Sequence, residues 1–312
     1  MLEVVRFTGR KANEWNEFVA GAKNATFLFN RSYMDYHADR FEDCSLMLYE
    51  GHRLSALLPA NRVGQTLCSH QGLTYGGLVI DSKATAESVC DMFEAVNGFL
   101  RADGFCRVVY KAFPSVYSVL PSEEPLYALT MCCHARLISR DVSSVVRLDR
   151  RIGFSELRRR GVKKALKNGV SIRFTDDLET FWRVLTDNLH SKYHARPVHT
   201  LQEIRLLKSR FPDNISLCAA YEGQTMLGGT LLYMTPQVVK TQYISATERG
   251  KELGALDLLF KTLIDDSSFS QLYFDMGTSA LEHSNELRRP LIFQKEGFGA
   301  RAVCCDTYEW TL

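Results

Sequence analysis

The pattern of apolar and polar residues changes its period once within the stretch Thr241–Ile264. The residues around Tyr243 indicate the end of a strand, and Gly250 and Gly254 favour a turn. Apolar residues then recur at helical spacing, at Leu253, Leu256, Phe260, Leu263 and Ile264. The stretch therefore predicts a strand that runs into a helix. The first N–H groups of such a helix favour an anion, although two glycines alone also suit an ordinary strand–helix connection.

The order of predicted elements repeats along the chain. Each half indicates helices, then a hairpin of antiparallel strands, then strands that alternate with helices. The two hairpins turn at similar sequences, Tyr49-Glu50-Gly51 and Tyr221-Glu222-Gly223. Separate short strands are predicted at 132–138 and 144–148, and a helix at 284–295. The repetition predicts a duplicated α/β unit, with an N-terminal half at 1–145 and a C-terminal half at 146–312.

Composition narrows the class of protein. The chain has 312 residues, of which 46% are hydrophobic, so it can bury a sizeable core. Its net charge of +2 is too small for a general polyanion binder. The nine cysteines form no Cys-x-x-Cys pair. No apolar run is long enough to span a membrane, and Glu3 and Arg6 interrupt the start of the chain, so we expect a cytoplasmic protein.

Several motifs resemble those of the FemAB-like branch of tandem GNAT N-acetyltransferases. The motifs in the second half are Asn188–Thr200, Gln242–Thr247, Gly254–Asp257, Tyr273–Ser279 and Gln294–Arg301. The loop Ser69–Leu78 resembles the first-half motif of the same group. The resemblance implies an α/β (α+β) fold of two GNAT-like units, each a mixed and mostly antiparallel sheet flanked by helices. It also implies an acyltransferase.

The resemblance implies a candidate cofactor site in the second half. An acyl-CoA, such as acetyl-CoA, would lie against Gly250, Lys251, Gly254 and Ala255. The glycine loop departs from the family pattern, because Lys251 and Leu256 stand where the pattern has other residues. The branched side chain of Leu256, at the last position of the loop, would crowd a phosphate. An aminoacyl-tRNA donor therefore stays open as an alternative to coenzyme A.

Transfer of an acyl group to an amine needs a neutral amine, a polarised carbonyl and a proton for the leaving group. The catalytic candidates are Asp275 at a strand end, His194 and His199 in a loop between helices, and Tyr243 on a strand. Asp275 also suits a cap on the loop after it, and loop histidines often make only surface hydrogen bonds. His190 and His194 have helical i,i+4 spacing but no third ligand, so we expect no metal.

A second group of residues is expected to bind substrate. Lys295 resembles the lysine of a FemAB-like signature and suits the neutralisation of an oxyanion or a phosphate, although a solvated lysine at a helix end is the alternative. Ser245 lies two residues from Tyr243, on the same side of the strand. The other candidate substrate-binding residues are His70, Gln71, Tyr75, Gln242 and Ser279.

The segment 154–168 predicts a basic helix that ends at Gly169. Its six cations could contact the phosphates of tRNA or of a nucleotide-linked precursor, or could simply face solvent. No aromatic residues are interleaved with the cations, so base stacking is not supported.

These observations predict an N-acyltransferase that acts on an amine of a small molecule or a cell-envelope precursor. Two alternatives remain: an aminoacyl-tRNA-dependent aminoacyltransferase of the peptidoglycan type, and a degenerate GNAT protein that binds a ligand without catalysis. The sequence does not identify the acceptor or the oligomeric state.

Overall fold

The computed structural model describes residues 2–279 and 286–312. The chain divides into two compact units. The first comprises the chain up to Asp141 together with Cys304–Leu312, and the second comprises Val142–Val303. The predicted halves placed residues 304–312 in the second half. Here they belong to the first unit, because the last strand pairs with a strand at Arg107–Lys111.

The first unit contains two antiparallel arrays of strands. One sheet has the order β1-β3-β4-β7, and further strands follow the order β15-β8-β6-β5-β2. The strands are β1 Leu2–Arg6, β2 Glu42–Asp43, β3 Leu46–Glu50, β4 Arg53–Leu58, β5 Asn61–Val63, β6 Thr66–Cys68, β7 Val79–Ile80, β8 Arg107–Lys111 and β15 Arg301–Thr311. The helices are α1 Ala12–Gly21, α2 Arg31–Met34, α3 Ala86–Ala102 and α4 Glu124–Met131. One pair departs from the antiparallel pattern, because β6 runs parallel to β8.

Helix α3 illustrates how the sequence sets the core of the first unit. Thr85 and Ser88 form a reciprocal capping box at its start, which satisfies N–H groups that the helix leaves without partners. Its apolar side chains recur at helical spacing and are buried: Val89, Met92, Phe93, Val96 and Leu100. They pack in one cluster with residues of β3, β4 and β8.

The second unit has one mixed sheet with the strand order β10-β11-β12-β13-β14-β9. The strands are β9 Arg136–Arg147, β10 Val170–Thr175, β11 Ile215–Glu222, β12 Thr225–Met234, β13 Val238–Ala246 and β14 Tyr273–Thr278. The helices are α5 Glu156–Lys167, α6 Leu178–Tyr193, α7 Leu201–Arg210, α8 Glu248–Leu253, α9 Ala255–Asp265 and α10 Arg289–Glu296. All neighbouring strands are antiparallel except β13 and β14, which are parallel.

The core of the second unit lies beneath α9. This helix buries Leu258, Leu259, Phe260, Leu263 and Ile264. They pack with apolar residues of α5 and of the strands in a single cluster. Three of the positions predicted from helical spacing, Phe260, Leu263 and Ile264, lie on this buried face, whereas Leu256 is half-buried.

Three predicted elements differ from the structure. The predicted strands at 132–138 and 144–148 are parts of one long strand, β9, whose residues up to Asp141 belong to the first unit and whose remainder belongs to the second. The turn predicted at Gly250 and Gly254 contains a short helix of its own, α8, which Gly254 separates from α9 by adopting a left-handed conformation with φ +74°. The predicted start of the last helix, Ser284, lies outside the described residues, and α10 begins at Arg289.

None of the described helices is long and apolar enough to cross a membrane.

Candidate active site

Strands β13 and β14 run side by side for only three residue pairs. Val238 faces Tyr273, Val239 faces Phe274 and Lys240 faces Asp275. Beyond this point a bulge interrupts β13, because Leu231 of β12 pairs with Tyr243 and Leu232 pairs with Thr241. Gln242 is thus the extra residue, and a bulge bends the strand that carries it. The bulge lies just beyond the last residue pair that joins β13 to β14.

A slot of about 270 Å³ lies where the two strands separate. Its walls come from β13, β14 and four helices. The lining residues are Asn188, Ile244, Ser245, Ala246, Lys251, Leu256, Phe260, Met276, Leu291, Gln294 and Lys295. Apolar side chains therefore line much of the slot, with a few polar groups among them, as is usual for a ligand site.

Lys295 is the buried cation of this slot. It is only 4% exposed, although it lies in the last turn of α10. Its Nζ donates to the carbonyl oxygens of Gly277, at 2.8 Å, and Thr278, at 2.7 Å. Burial lowers the pKa of Lys295 to about 8, with Lys240 acting in the same direction and Asp275 opposing it. The ammonium group can therefore give up or take up a proton near neutral pH.

Asp275 lies at the centre of a buried polar cluster. It is 2% exposed and accepts hydrogen bonds from the Ser143 hydroxyl and, at 2.7 Å, from the Gly277 N–H. The Nζ of Lys240 is 3.8 Å from its second carboxylate oxygen. The bond to Gly277 is that of a carboxylate that caps the loop after it. The structure thus gives Asp275 a structural task, and a catalytic task for it stays a prediction.

His199 and Tyr243 come together, as two of the predicted catalytic residues. The Tyr243 hydroxyl lies 2.6 Å from Nδ1 of His199 and accepts a 3.2 Å hydrogen bond from the His199 N–H. Trp182 of α6 packs edge-on against the Tyr243 ring. Burial raises the pKa of Tyr243 to about 12, so its hydroxyl keeps its proton at neutral pH. The pair ties the loop before α7 to β13.

His194 is separate from this pair. It forms the left-handed C-cap of α6 with φ +50°, and its side chain is exposed. Its ring centroid lies 6.1 Å from that of His190. Among residues 2–279 and 286–312, no group of three His, Cys, Asp or Glu side chains is arranged to hold a metal ion.

Lys251 connects three neighbouring cavities. It lines the slot, a cleft of about 630 Å³ beside α6, and a groove of about 320 Å³ beside α10. Its Nζ donates to the Asn188 side chain at 3.1 Å and pairs with Glu248. Lys251 is therefore placed to meet a ligand that extends out of the slot.

Gly250 and Gly254 are required by packing. A Cβ on Gly250 would lie 2.2 Å from the Leu227 carbonyl oxygen, and one on Gly254 would lie 2.6 Å from that of Gly161. The Gly250 N–H is already bonded to the Thr247 hydroxyl at 3.0 Å. Ala255 is fully buried. Gly250 and Gly254 thus pack closely against backbone, and both also line the groove of about 320 Å³ beside α10, so phosphate binding at the start of α8 stays a prediction.

The arrangement of elements matches solved structures of low sequence identity. FemX superposes with a TM-score of 0.68 and 11% identity over 99% of this chain and 97% of that one. L-PGS from Bacillus licheniformis superposes with a TM-score of 0.59 and 11% identity over 97% of this chain and 91% of that one. A tandem GNAT protein from the clavulanic acid biosynthesis pathway was solved without AcCoA. It superposes with a TM-score of 0.54 and 14% identity over 100% of this chain and 98% of that one.

The chain has the tandem GNAT fold of FemX. The predicted fold is thus confirmed. No protein-family model and no curated protein matches the sequence.

In this tandem GNAT fold the glycine-rich loop of the first unit is packed rather than open. His70 is 3% exposed, and burial together with the neighbouring His37 lowers its pKa to about 3, so it is neutral. The Tyr75 hydroxyl bonds to the Thr26 hydroxyl at 2.9 Å among aromatic rings. Gln71 is exposed and exchanges two hydrogen bonds with Asn61. Substrate binding by His70, Gln71 and Tyr75 stays a prediction, and the contacts of the two buried residues are internal.

The remaining substrate-binding candidates lie in the second unit. Ser245 lines the slot, but its hydroxyl donates to the Val184 carbonyl at 3.2 Å. Gln242 is the bulged residue of β13. Ser279 is fully buried, and its hydroxyl has no hydrogen-bond partner among the described residues. Its N–H donates to the Val142 carbonyl at 3.1 Å.

Sequence reasoning missed Ser143 and Lys240, which surround Asp275 in the tandem GNAT fold. Ser143 is 132 residues away in the chain, and nothing in its local sequence marks it. Lys240 is a cation inside an apolar strand and is 8% exposed, which was a usable signal. Asn188 was noticed only as part of a motif, and its contact with Lys251 depends on the packing of α6 beside α8.

Proposed function

We propose that the second unit transfers an acyl group to an amine, with the acyl donor lying in the slot between β13 and β14. The separation of these strands carries the proposal. It leaves one edge of β13 without a strand partner over 242–246 in the described part of the chain. An extended donor could form strand-like hydrogen bonds with that edge.

Lys295 is the residue we assign to the chemistry. When an amine attacks an acyl carbonyl, negative charge develops on the carbonyl oxygen and on the leaving group. A buried ammonium in the slot can stabilise this charge, and a pKa of about 8 lets it protonate the leaving group near neutral pH. The incoming amine has to arrive neutral, and the proton that its nitrogen releases after the attack restores the ammonium of Lys295. Carbonyl contacts from Gly277 and Thr278 hold the ammonium in position.

At the start of α8, one of the N–H groups predicted to meet the phosphates of coenzyme A is already hydrogen-bonded within the protein. Thr247 occupies the Gly250 N–H, and Gly250 faces the backbone of β12. This observation favours a second candidate, in which the acyl group arrives on a carrier other than coenzyme A, such as an aminoacyl-tRNA.

A transfer assay with a panel of donors tests the proposal. Acetyl-CoA, longer acyl-CoAs and aminoacyl-tRNA would each be offered with a mixture of primary amines, and amide formation would be followed by mass spectrometry. We expect amide from at least one donor, and loss of that product with Lys295→Met. Binding of donors without any amide would instead support the non-catalytic alternative. The panel also decides between coenzyme A and tRNA as the carrier.

The acceptor is proposed at the level of its chemistry only. An amine of a small molecule or of a cell-envelope precursor fits the reaction. The cleft of about 630 Å³ beside α6 is lined by Asp177 and Asp187 as well as by Arg183 and by the Lys251–Glu248 ion pair, and its two aspartate carboxylates suit an amine ligand.

A further inference from the structure

A groove on the second unit lies apart from the residues of the proposed reaction. It has a volume of about 530 Å³ and is bounded by the segment 151–154, α5 and α9. Apolar side chains line it, with cations at several positions. The lining residues are Arg151, Ile152, Gly153, Phe154, Arg159, Val162, Lys163, Leu166, Lys261, Ile264 and Asp265.

Two aliphatic side chains of this groove project into solvent. Leu166 of α5 is 59% exposed and Ile152 is 46% exposed. Val162 and Ile264 beneath them are buried, at 5% and 3%. Single exposed aliphatic residues are common on proteins, but these two line the same mostly apolar groove.

Cations surround these aliphatic residues. Arg159, Lys163 and Lys167 follow i,i+4 spacing, so they lie in one row along α5, and Leu166 lies beside the row. All three are exposed. We call Ile152, Arg159, Lys163, Leu166 and Lys167 the α5 surface.

The positive charge of this region is only partly neutralised. Arg159 pairs with Glu156, and Asp265 pairs with both Arg151 and Lys261. Four further cations of α5 have no ion-pair partner among the described residues. They are Arg160, Lys163, Lys164 and Lys167. An anionic partner would therefore meet cations that are not already engaged.

The apolar component distinguishes between two kinds of anionic partner. A surface for single-stranded nucleic acid combines cations with exposed aromatic rings on which bases stack. Phe154, the aromatic residue of the groove, is instead half-buried and packs edge-on against Phe298. Exposed aliphatic side chains among lysines and arginines are typical of surfaces that lie at a membrane interface. The chemistry of the α5 surface thus favours lipid.

We propose that the α5 surface docks the protein on an anionic phospholipid bilayer. Arg159, Lys163 and Lys167 would contact headgroup phosphates. Ile152 and Leu166 would enter the boundary between headgroups and acyl chains. This docking does not depend on the proposed transferase reaction, since none of these five residues lines the slot.

Vesicle flotation of the full chain tests the docking. We expect flotation with phosphatidylcholine vesicles that contain phosphatidylglycerol, and little with pure phosphatidylcholine. The double variant Lys163→Glu/Lys167→Glu should weaken binding at least about tenfold, since each basic residue near an anionic membrane contributes substantially. The double variant Ile152→Ser/Leu166→Ser should reduce the binding that remains at about 1 M salt, where charge is screened.

A matched control changes the same net charge elsewhere. Lys83→Glu/Arg101→Glu alters two exposed cations of the first unit and should leave flotation unchanged. The proposal is wrong if wild-type protein fails to float with vesicles that contain phosphatidylglycerol, or floats equally with neutral vesicles. It is also wrong if the control variant loses as much binding as Lys163→Glu/Lys167→Glu. A further outcome would contradict it: wild-type protein binds tRNA but no vesicles, and Lys163→Glu/Lys167→Glu abolishes the binding to tRNA. Melting temperatures close to wild type would show that the variants are folded.

Discussion

The glycine loop at 69–78 and the stretch at 238–265 look alike in sequence but differ in the structure. Both combine glycines with hydrogen-bonding side chains next to a strand. The first is filled by its own protein: a Cβ on Gly76 would lie 2.0 Å from the Ser69 carbonyl oxygen. The second also packs its glycines tightly, yet it borders a slot, because β13 bends away from β14.

The difference shows that glycines alone do not identify a binding site. In both regions they allow close backbone packing. What creates the cavity in the second unit is the end of strand pairing at Lys240 and Asp275. Lys295 lies in that cavity, and the proposed chemistry rests on it. The predictions below test whether activity follows the slot rather than the glycines.

The largest effect is expected from Lys295→Met. Removing the buried ammonium should lower kcat by about 10²–10³-fold, as loss of one group that stabilises transition-state charge commonly does. Steady-state kinetics with the donor found in the transfer assay measures this. Lys83→Met, at an exposed position of the first unit, is the control and should have wild-type kcat. If a folded Lys295→Met protein had unchanged activity, the role assigned to Lys295 in the slot would be wrong.

Filling the slot should have the next largest effect. Leu256→Trp adds bulk to a wall of the cavity, and a loss of about 1.4 kcal/mol in binding free energy would raise the KM of the donor roughly tenfold. Leu272→Trp is a suitable control, since Leu272 is 41% exposed and lines none of the cavities described above. If both variants had the same KM, the donor would bind elsewhere.

In the first unit, Gly76→Ala should affect stability and leave chemistry intact. The added Cβ has to displace backbone, which we expect to lower the free energy of unfolding by about 1–3 kcal/mol. Gly98→Ala in α3 is the matched control, because open space surrounds that position, and it should stabilise by about 0.5–1 kcal/mol. Urea unfolding measures both. A drop in kcat for folded Gly76→Ala would indicate that the loop at 69–78 contributes to catalysis. The contrast with the stretch at 238–265 would then be weaker.

The smallest effect is a pH dependence that comes from Lys295. The assigned role needs the protonated amine, so kcat should fall as pH rises through about 8, and Lys295→Arg should shift that fall to higher pH. The folded pKa is below the ordinary 10.5, so the unfolded chain binds more protons between these values. The free energy of unfolding of wild type should therefore rise with pH from 8 to 10 relative to Lys295→Met. Urea unfolding at both pH values would reveal an absent or opposite trend.

The sequence by itself determined most of the secondary structure and the fold. Helical spacing identified the buried face of α9, and the paired hairpins at Glu50-Gly51 and Glu222-Gly223 indicated the duplicated unit. These features depend on neighbours in the chain, because the spacing of apolar residues within a short stretch indicates which face of a helix or strand is buried. The assignment of 304–312 to the first unit was missed, because strand pairing joins residues that are distant in sequence.

Only the tertiary structure decided how the candidate residues are used. It placed His70 and Tyr75 among buried side chains, joined His199 to Tyr243, and buried Lys295 at the end of a short helix. Spacing along the chain carries no information on whether two parallel strands separate, or on which side chain enters the gap. Those outcomes depend on a one-residue bulge at Gln242 and on the packing of α6, α9 and α10 around it.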